Sequence, residues 1–228
     1  MQERQDAMSA QHAEDPIARR AEALAAAAET MRLVRDRCVW TQRITHRDLV
    51  PYLIEESAEL VDAVEDGSRA ELREELGDLL WQVLFHAEIA SRDDAEPFDI
   101  ADVADGLTEK MVRRHPHVFG DDVAETPEQV LVLWNAAKAA EKSERRSVLD
   151  GVARGMPSLA LAQKLLGKGS GLVPAPELVA TAPDSEAELG DALLALVAQA
   201  RSRGWDAERA LRERLRTLES DIRAAEAG

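Results

Sequence analysis

Apolar residues recur at helical spacing from residue 17 almost to the end of the chain, interrupted at short intervals by capping and turn residues. Asp15-Pro16 places an N-cap before a proline at the first helical position. Ile17, Leu24, Ala28, Met31 and Val34 then keep one stripe, which predicts a helix to about Arg37. After the segment CVWTQRITH, a second helix is predicted from about Arg47 to Asp66, with Leu49, Leu53, Leu60 and Val64 on one face and Gly67 as its stop. Ser68-x-x-Glu71 has capping-box spacing and opens a third helix to about Ser91. So short a turn makes the second and third helices antiparallel neighbours. From Leu79 to Ala90 the third is polar only at Gln82, His86 and Glu88, so it should be packed on most of its circumference.

A fourth helix is predicted to follow Phe98-Asp99 and to end near Arg114, where His115-Pro116 breaks it. Thr126-Pro127-Glu128-Gln129 combines a cap, a proline and a box glutamine, and starts a fifth helix to about Lys142. The charged tract from Glu141 to Arg146 reads as a helix end running into a linker. Beyond it Pro157-Ser158 begins a short helix, GKGSGLVPAPELVATAPD is a loop, Ser185-x-x-Glu188 caps a helix ending at Gly204, and Asp206 starts the last one.

With aromatic residues at 4%, the chain has too few sheet formers for a β architecture, and the expected fold is an all-α helical bundle. The 44 acidic residues leave a net charge of −16, which disfavours a nucleic acid polymer as partner. A single cysteine, Cys38, excludes an internal disulfide and fits a reducing cytoplasm. The first residues lack a signal-peptide core and no apolar run has membrane-spanning length. A cytoplasmic protein without a membrane partner, its residues 1–15 disordered, is the expectation.

The charge pattern changes the picture most at two strings, Glu55-Glu56-Ser57-Ala58-Glu59 and Glu75-Leu76-Gly77-Asp78. Residues three apart on a helix share a face, so the antiparallel pair can aim Glu56, Glu59, Glu75 and Asp78 at one point. Four carboxylates in a partly buried groove oppose one another's ionisation, and a divalent cation such as Mg²⁺ removes the conflict. Lys110, Arg113 and Arg114 put three cations on one side of the fourth helix, suited to a metal-bound polyphosphate. Trp134, Asn135 and Lys138 offer an aromatic face, an amide and a cation, which suits a nucleobase. The five histidines support neither a metal nor a general-base role by their spacing.

The chain also echoes itself. Glu188-Leu189-Gly190-Asp191 followed by ALLALVAQAR repeats Glu75-Leu76-Gly77-Asp78 followed by LLWQVLFHAE, and Trp205-Asp206 parallels Phe98-Asp99. No Asp or Glu stands between Gly151 and Pro176 to oppose the second set, and Thr217, Ser220 and Asp221 fill the places of the three cations. The expected organisation is a catalytic domain at 16–146 and a degenerate structural copy at 147–228.

These segments, with CVWTQRITH at 38–46, EESAEL, ELGDLLWQVLFHA, KMVRRHPHVFGD at 110–121 and LWNAAKAAEK at 133–142, resemble the MazG family of all-α nucleoside triphosphate pyrophosphohydrolases, as a tandem pair of MazG-like units. The resemblance implies Mg²⁺-dependent hydrolysis of NTP or dNTP to monophosphate and pyrophosphate by a homodimer, in nucleotide-pool house-cleaning. It implies metal ligands at Glu56, Glu59, Glu75 and Asp78, phosphate contacts at Lys110, Arg113 and Arg114, and base contacts around Trp134, Asn135 and Lys138. Glu55 and Asp62 match motif positions, Glu55 as a candidate proton acceptor. Val39, Thr41 and Ile44 depart from the family's first segment, which usually reads CPWD followed by QTH. Two alternatives stay open: a non-catalytic helical interaction or regulatory protein, and a pyrophosphatase restricted to dUTP or dCTP.

Overall fold

The computed structural model describes residues 15–141, 147–170, 172, 174, 176–177 and 183–227, with side chains to residue 217. Residues 1–14 of the expected disordered start, most of the linker at 141–146 and much of the loop at 167–184 therefore fall outside the described residues, whereas Asp15 is ordered as a cap. Within them the fold is all-α, in two compact units, residues 1–138 and 139–228.

In the first unit, α1 (Pro16–Arg37) starts where the Asp15 carboxylate accepts the N–H groups of Ile17 at 2.9 Å and Ala18 at 3.3 Å. A 3₁₀ turn (Thr41–Arg43) leads to α2 (His46–Glu65), which starts one residue before its predicted limit because Thr45 and Asp48 form a reciprocal capping box. At Gly67 a side chain would meet the Ala63 Cα at 2.6 Å, so the reversal into α3 (Arg69–Ala90) has room only for glycine. Ser68 and Glu71 form the capping box of α3, the two long helices pack closely along each other, and α1 lies against α3.

Met31, Leu49, Leu84 and Phe85 form the core, with Ile44, Leu80, Trp81 and Ile100 packed around it. The buried Arg35 lies 5.8 Å from the Phe85 ring centre and donates to the Ile44 carbonyl at 2.9 Å, while Thr41 donates to the Val34 carbonyl at 2.9 Å. These bonds fix the segment 38–45 against the core. Residues 79–90 of α3 are packed on most of the circumference as expected, Val83 alone among them being exposed, at 43%, whereas Leu76, just before this stretch, is 52% exposed. Around Leu76 and Val83 the hairpin has no cover among the described residues.

Next, α4 (Ile100–Arg114) is capped by Asp99 and packs on α3. His115-Pro116 ends it as expected, but Pro116–Phe119 winds one further helical turn, α5, where the sequence reads as a simple turn, and α6 (Pro127–Ala140) follows. In the second unit α7 (Ser158–Lys168) packs against α8 (Glu186–Ser202) and α9 (Ala207–Ala227), with Ala195 and Val197 buried. Gly204, at φ 71°, closes α8 in the left-handed region, and the Trp205 N–H returns to the Ala200 carbonyl at 2.9 Å.

Candidate active site

The hairpin of α2 and α3 sets the geometry of the site. Glu56 lies three turns into α2 and faces Glu75 and Asp78 on α3, and each of the three offers a carboxylate oxygen within 4.8 Å of the others. Glu59, one turn further along α2, is outside this set of three. It lines a groove of about 320 Å³ together with Asp62, Ala63, Asp66, Gly67, Glu71 and Glu75. Glu75 thus belongs both to the cluster and to the groove. Glu55 is exposed beside Glu56.

The electrostatics follow from the crowding. Burial pushes the Glu56 carboxyl above the usual carboxylate range, and the charges of Asp78, Glu59, Glu75 and Glu55 add to the shift. Glu75 moves the same way, by burial first and then by Glu59 and Asp78. Its Oε2 is sealed from solvent and has no hydrogen-bond partner. An orphaned anionic oxygen costs free energy unless a cation meets it. Glu56, Glu75 and Asp78 together offer the hard oxygen donors that could hold a divalent cation.

The cationic half sits at the end of α4. Lys110 and Arg114 are half-buried and Arg113 is exposed. The Arg114 guanidinium lies over the Trp134 ring, 5.1 Å from its centre. Trp134 is therefore not the isolated stacking face that the sequence offered, although Asn135 and Lys138 stand beside it on α6 as expected. Of the proposed repeat, Thr217 donates to its own helix at Glu213, and the side chains of Ser220 and Asp221 lie outside the described residues.

Histidine chemistry is what sequence spacing missed. His46, the first residue of α2, and His86 of α3 stack with ring centres 5.0 Å apart and share a hydrogen bond between their Nδ1 atoms at 2.7 Å. One Nδ1 carries the hydrogen and the other accepts it, so burial and His46 together hold His86 below the ordinary imidazole pKa. Forty residues separate the pair and no local pattern announces it. A second group, His115 and His117, lies against Trp134 and its ring neighbours.

The profile described as the MazG nucleotide pyrophosphohydrolase domain matches residues 44–119, which contain the facing acids of α2 and α3 and the three cations of α4 but not Trp134, Asn135 and Lys138. A nucleoside triphosphate pyrophosphohydrolase of Escherichia coli (strain K12) is 33% identical, over 83% of this chain and 80% of that protein. An uncharacterized 26.1 kDa protein of Streptomyces cacaoi is 50% identical, over 87% of this chain and 80% of its own length. A nucleoside triphosphate pyrophosphohydrolase of Mycobacterium tuberculosis is 48% identical over 66% of this chain, which spans 46% of that protein. With the helical hairpin and its facing acids in place, these likenesses settle the kinship: the chain belongs to the MazG nucleotide pyrophosphohydrolase family.

Proposed function

We propose that the chain hydrolyses nucleoside triphosphates, ribo or deoxy, to the monophosphate and pyrophosphate, with Mg²⁺ held by Glu56, Glu59, Glu75 and Asp78. The observation that carries this reading is the set of three facing carboxylates, one of which, Glu75, has a buried oxygen without a hydrogen-bond partner. Bound there, the ion supplies charge neutralisation and Lewis acidity toward the triphosphate.

The chain's own residues do the rest. Lys110, Arg113 and Arg114 hold the β- and γ-phosphates in line, which is a positioning contribution. A water attacks the α-phosphorus, the bond from that phosphorus to the oxygen bridging to the β-phosphate breaks, and pyrophosphate leaves with the bonding pair. The water's proton passes to a carboxylate, for which Glu55 is our assignment because it is exposed and outside the set of three. Asn135 and Lys138 line the nucleoside end.

We further propose that residues 147–228 are a structural copy without catalysis, that the enzyme works in the cytoplasm in clearing the nucleotide pool, and that a second copy covers the hairpin. Ile54, Val64, Leu76 and Val83, all exposed within one chain, support the homodimer. A non-catalytic protein whose acids form a solvated face is less well supported, because such a face would not bury the Glu75 oxygen.

The test incubates dATP or dGTP with protein and Mg²⁺ and identifies the products. Monophosphate with pyrophosphate is expected. Diphosphate with orthophosphate defeats attack at the α-phosphorus, and no turnover of any nucleotide defeats the reading.

A further inference from the structure

Trp134 is the one aromatic ring among the proposed substrate contacts, and its surroundings change what it can do. Arg114, from the last turn of α4, spreads over the indole at 5.1 Å from the ring centre, a cation–π distance. His115, the next residue, meets the same ring edge-on, with centres 5.1 Å apart and planes at 68°. The His115 ring is itself pinned, because its Nδ1–H donates to the Met111 carbonyl at 2.7 Å. His117 packs behind it at 5.7 Å. The half-buried indole is thus engaged by two side chains from the α4 terminus. A nucleobase stacking on the face that Arg114 covers would have to displace the guanidinium.

We infer that Trp134 is a positioning residue for Arg114, and that it serves triphosphate recognition instead of base stacking. An arginine on a four-bond stem loses considerable freedom when it is fixed for a phosphate, and a rigid aromatic platform holds it near its working geometry beforehand. With its ring committed to a cation, Trp134 contributes to affinity through the triphosphate and equally for every base. This inference rests on the proposed nucleotide site, and deepens it.

The experiment measures equilibrium binding, in Mg²⁺, of inorganic tripolyphosphate and of ATP, GTP, CTP and UTP to the full chain and to Trp134→Leu, Trp134→Phe and Arg114→Gln. Tripolyphosphate has no base, so it isolates the phosphate contribution. Trp134→Leu is expected to weaken tripolyphosphate about tenfold and all four nucleotides by the same factor, with Trp134→Phe restoring most of it. In the Arg114→Gln background, Trp134→Leu should cause no further loss. Unchanged tripolyphosphate binding in Trp134→Leu, or losses that differ among the four bases, overturns the inference. So does additivity of the two substitutions. Circular dichroism checks that Trp134→Leu is folded, and Arg114→Gln with Trp134→Phe carries the same comparison if it is not. Failure of the product assay on the wild-type protein would strike the proposed reaction without touching this binding comparison.

Discussion

The same four letters, Glu-Leu-Gly-Asp, lie in a helix of each unit, yet they do different work. In α3 Glu75 comes seven residues after its cap, Ser68, so the capping role falls to Glu71 and Glu75 is left to face α2. In α8 the motif starts only three residues after its cap, Ser185. Glu188 therefore sits where Glu71 sits in the first unit: its N–H bonds the Ser185 hydroxyl at 3.2 Å and its carboxylate accepts the Asp184 N–H at 2.9 Å. One helical turn of register converts a facing carboxylate into a cap. The partner helices differ as well. Opposite α3 stands the 20-residue α2 with its Glu-rich face, whereas opposite α8 stands the 11-residue α7, whose Gln163 bonds the backbone of Trp205 and Ala207 instead. An acidic site needs both a free register and an acidic neighbour, and Glu188 on α8, facing α7, has neither among the described residues.

Glu75→Ala against Glu188→Ala breaks or sustains this contrast most forcefully. Glu75→Ala should lower hydrolysis by at least about 100-fold, as for loss of a metal ligand, without lowering the thermal midpoint. Glu188→Ala should leave turnover unchanged and cost about 1 kcal/mol of stability, the worth of a cap contact. Product formation and thermal unfolding of the two variants give both readouts. Equal loss of activity in the two would refute the division of roles.

A second measurement sharpens the same contrast through pH. Glu56 and Glu75 have folded pKa values raised above the ordinary 4.5, so the folded chain binds protons more tightly there than the unfolded chain. Their favourable contribution is full below that ordinary value and is lost as pH rises through the raised values. Metal-free Glu56→Gln should therefore melt at a higher temperature than the wild type at pH 7, with the gap shrinking toward pH 5. His86, whose pKa is lowered, acts in the opposite sense, but it is common to both proteins and drops out of the difference. Added Mg²⁺ should raise the wild-type midpoint and leave Glu56→Gln nearly unmoved. Glu188→Gln, as the control in the second unit, should show no metal response beyond the wild type's own.

Much of this fold is legible from local rules. Asp15-Pro16, Ser68-x-x-Glu71 and Asp99 announce their helices because caps involve atoms within four residues, and the structure shows each bond. The facing of Glu56 with Glu75 and Asp78 follows from three-residue spacing and a short turn. Which turn of α2 lies opposite which turn of α3 is set by packing around Phe85 and Leu49, and that is why Glu59 falls in the adjoining groove. Glu188 carries two readable signals, a cap and a motif echo, and only the count of residues from Ser185 shows which one the helix uses. The His46–His86 bond and the Arg114–Trp134 stack join residues on different helices, the first pair 40 apart in the chain, beyond any periodic pattern.

The smallest effect concerns the glycines of the two motifs. A Cβ added at Gly77 or at Gly190 meets no atom within 4 Å, so neither helix needs a glycine for space inside one chain. Alanine at an open helix interior should gain up to about 1 kcal/mol in each case. Gly190→Ala, in a unit with no proposed site, is the reference. Gly77 stands between the half-exposed Leu76 and the proposed ligand Asp78, on the hairpin that a second copy is proposed to cover. Thermal unfolding of both variants over a range of protein concentrations separates the contributions. Equal gains at every concentration mean that the Gly77 position stays open in solution. A gain at Gly77 that falls below the gain at Gly190 as concentration rises places another chain against this turn of α3, because only a contact formed by association grows with concentration.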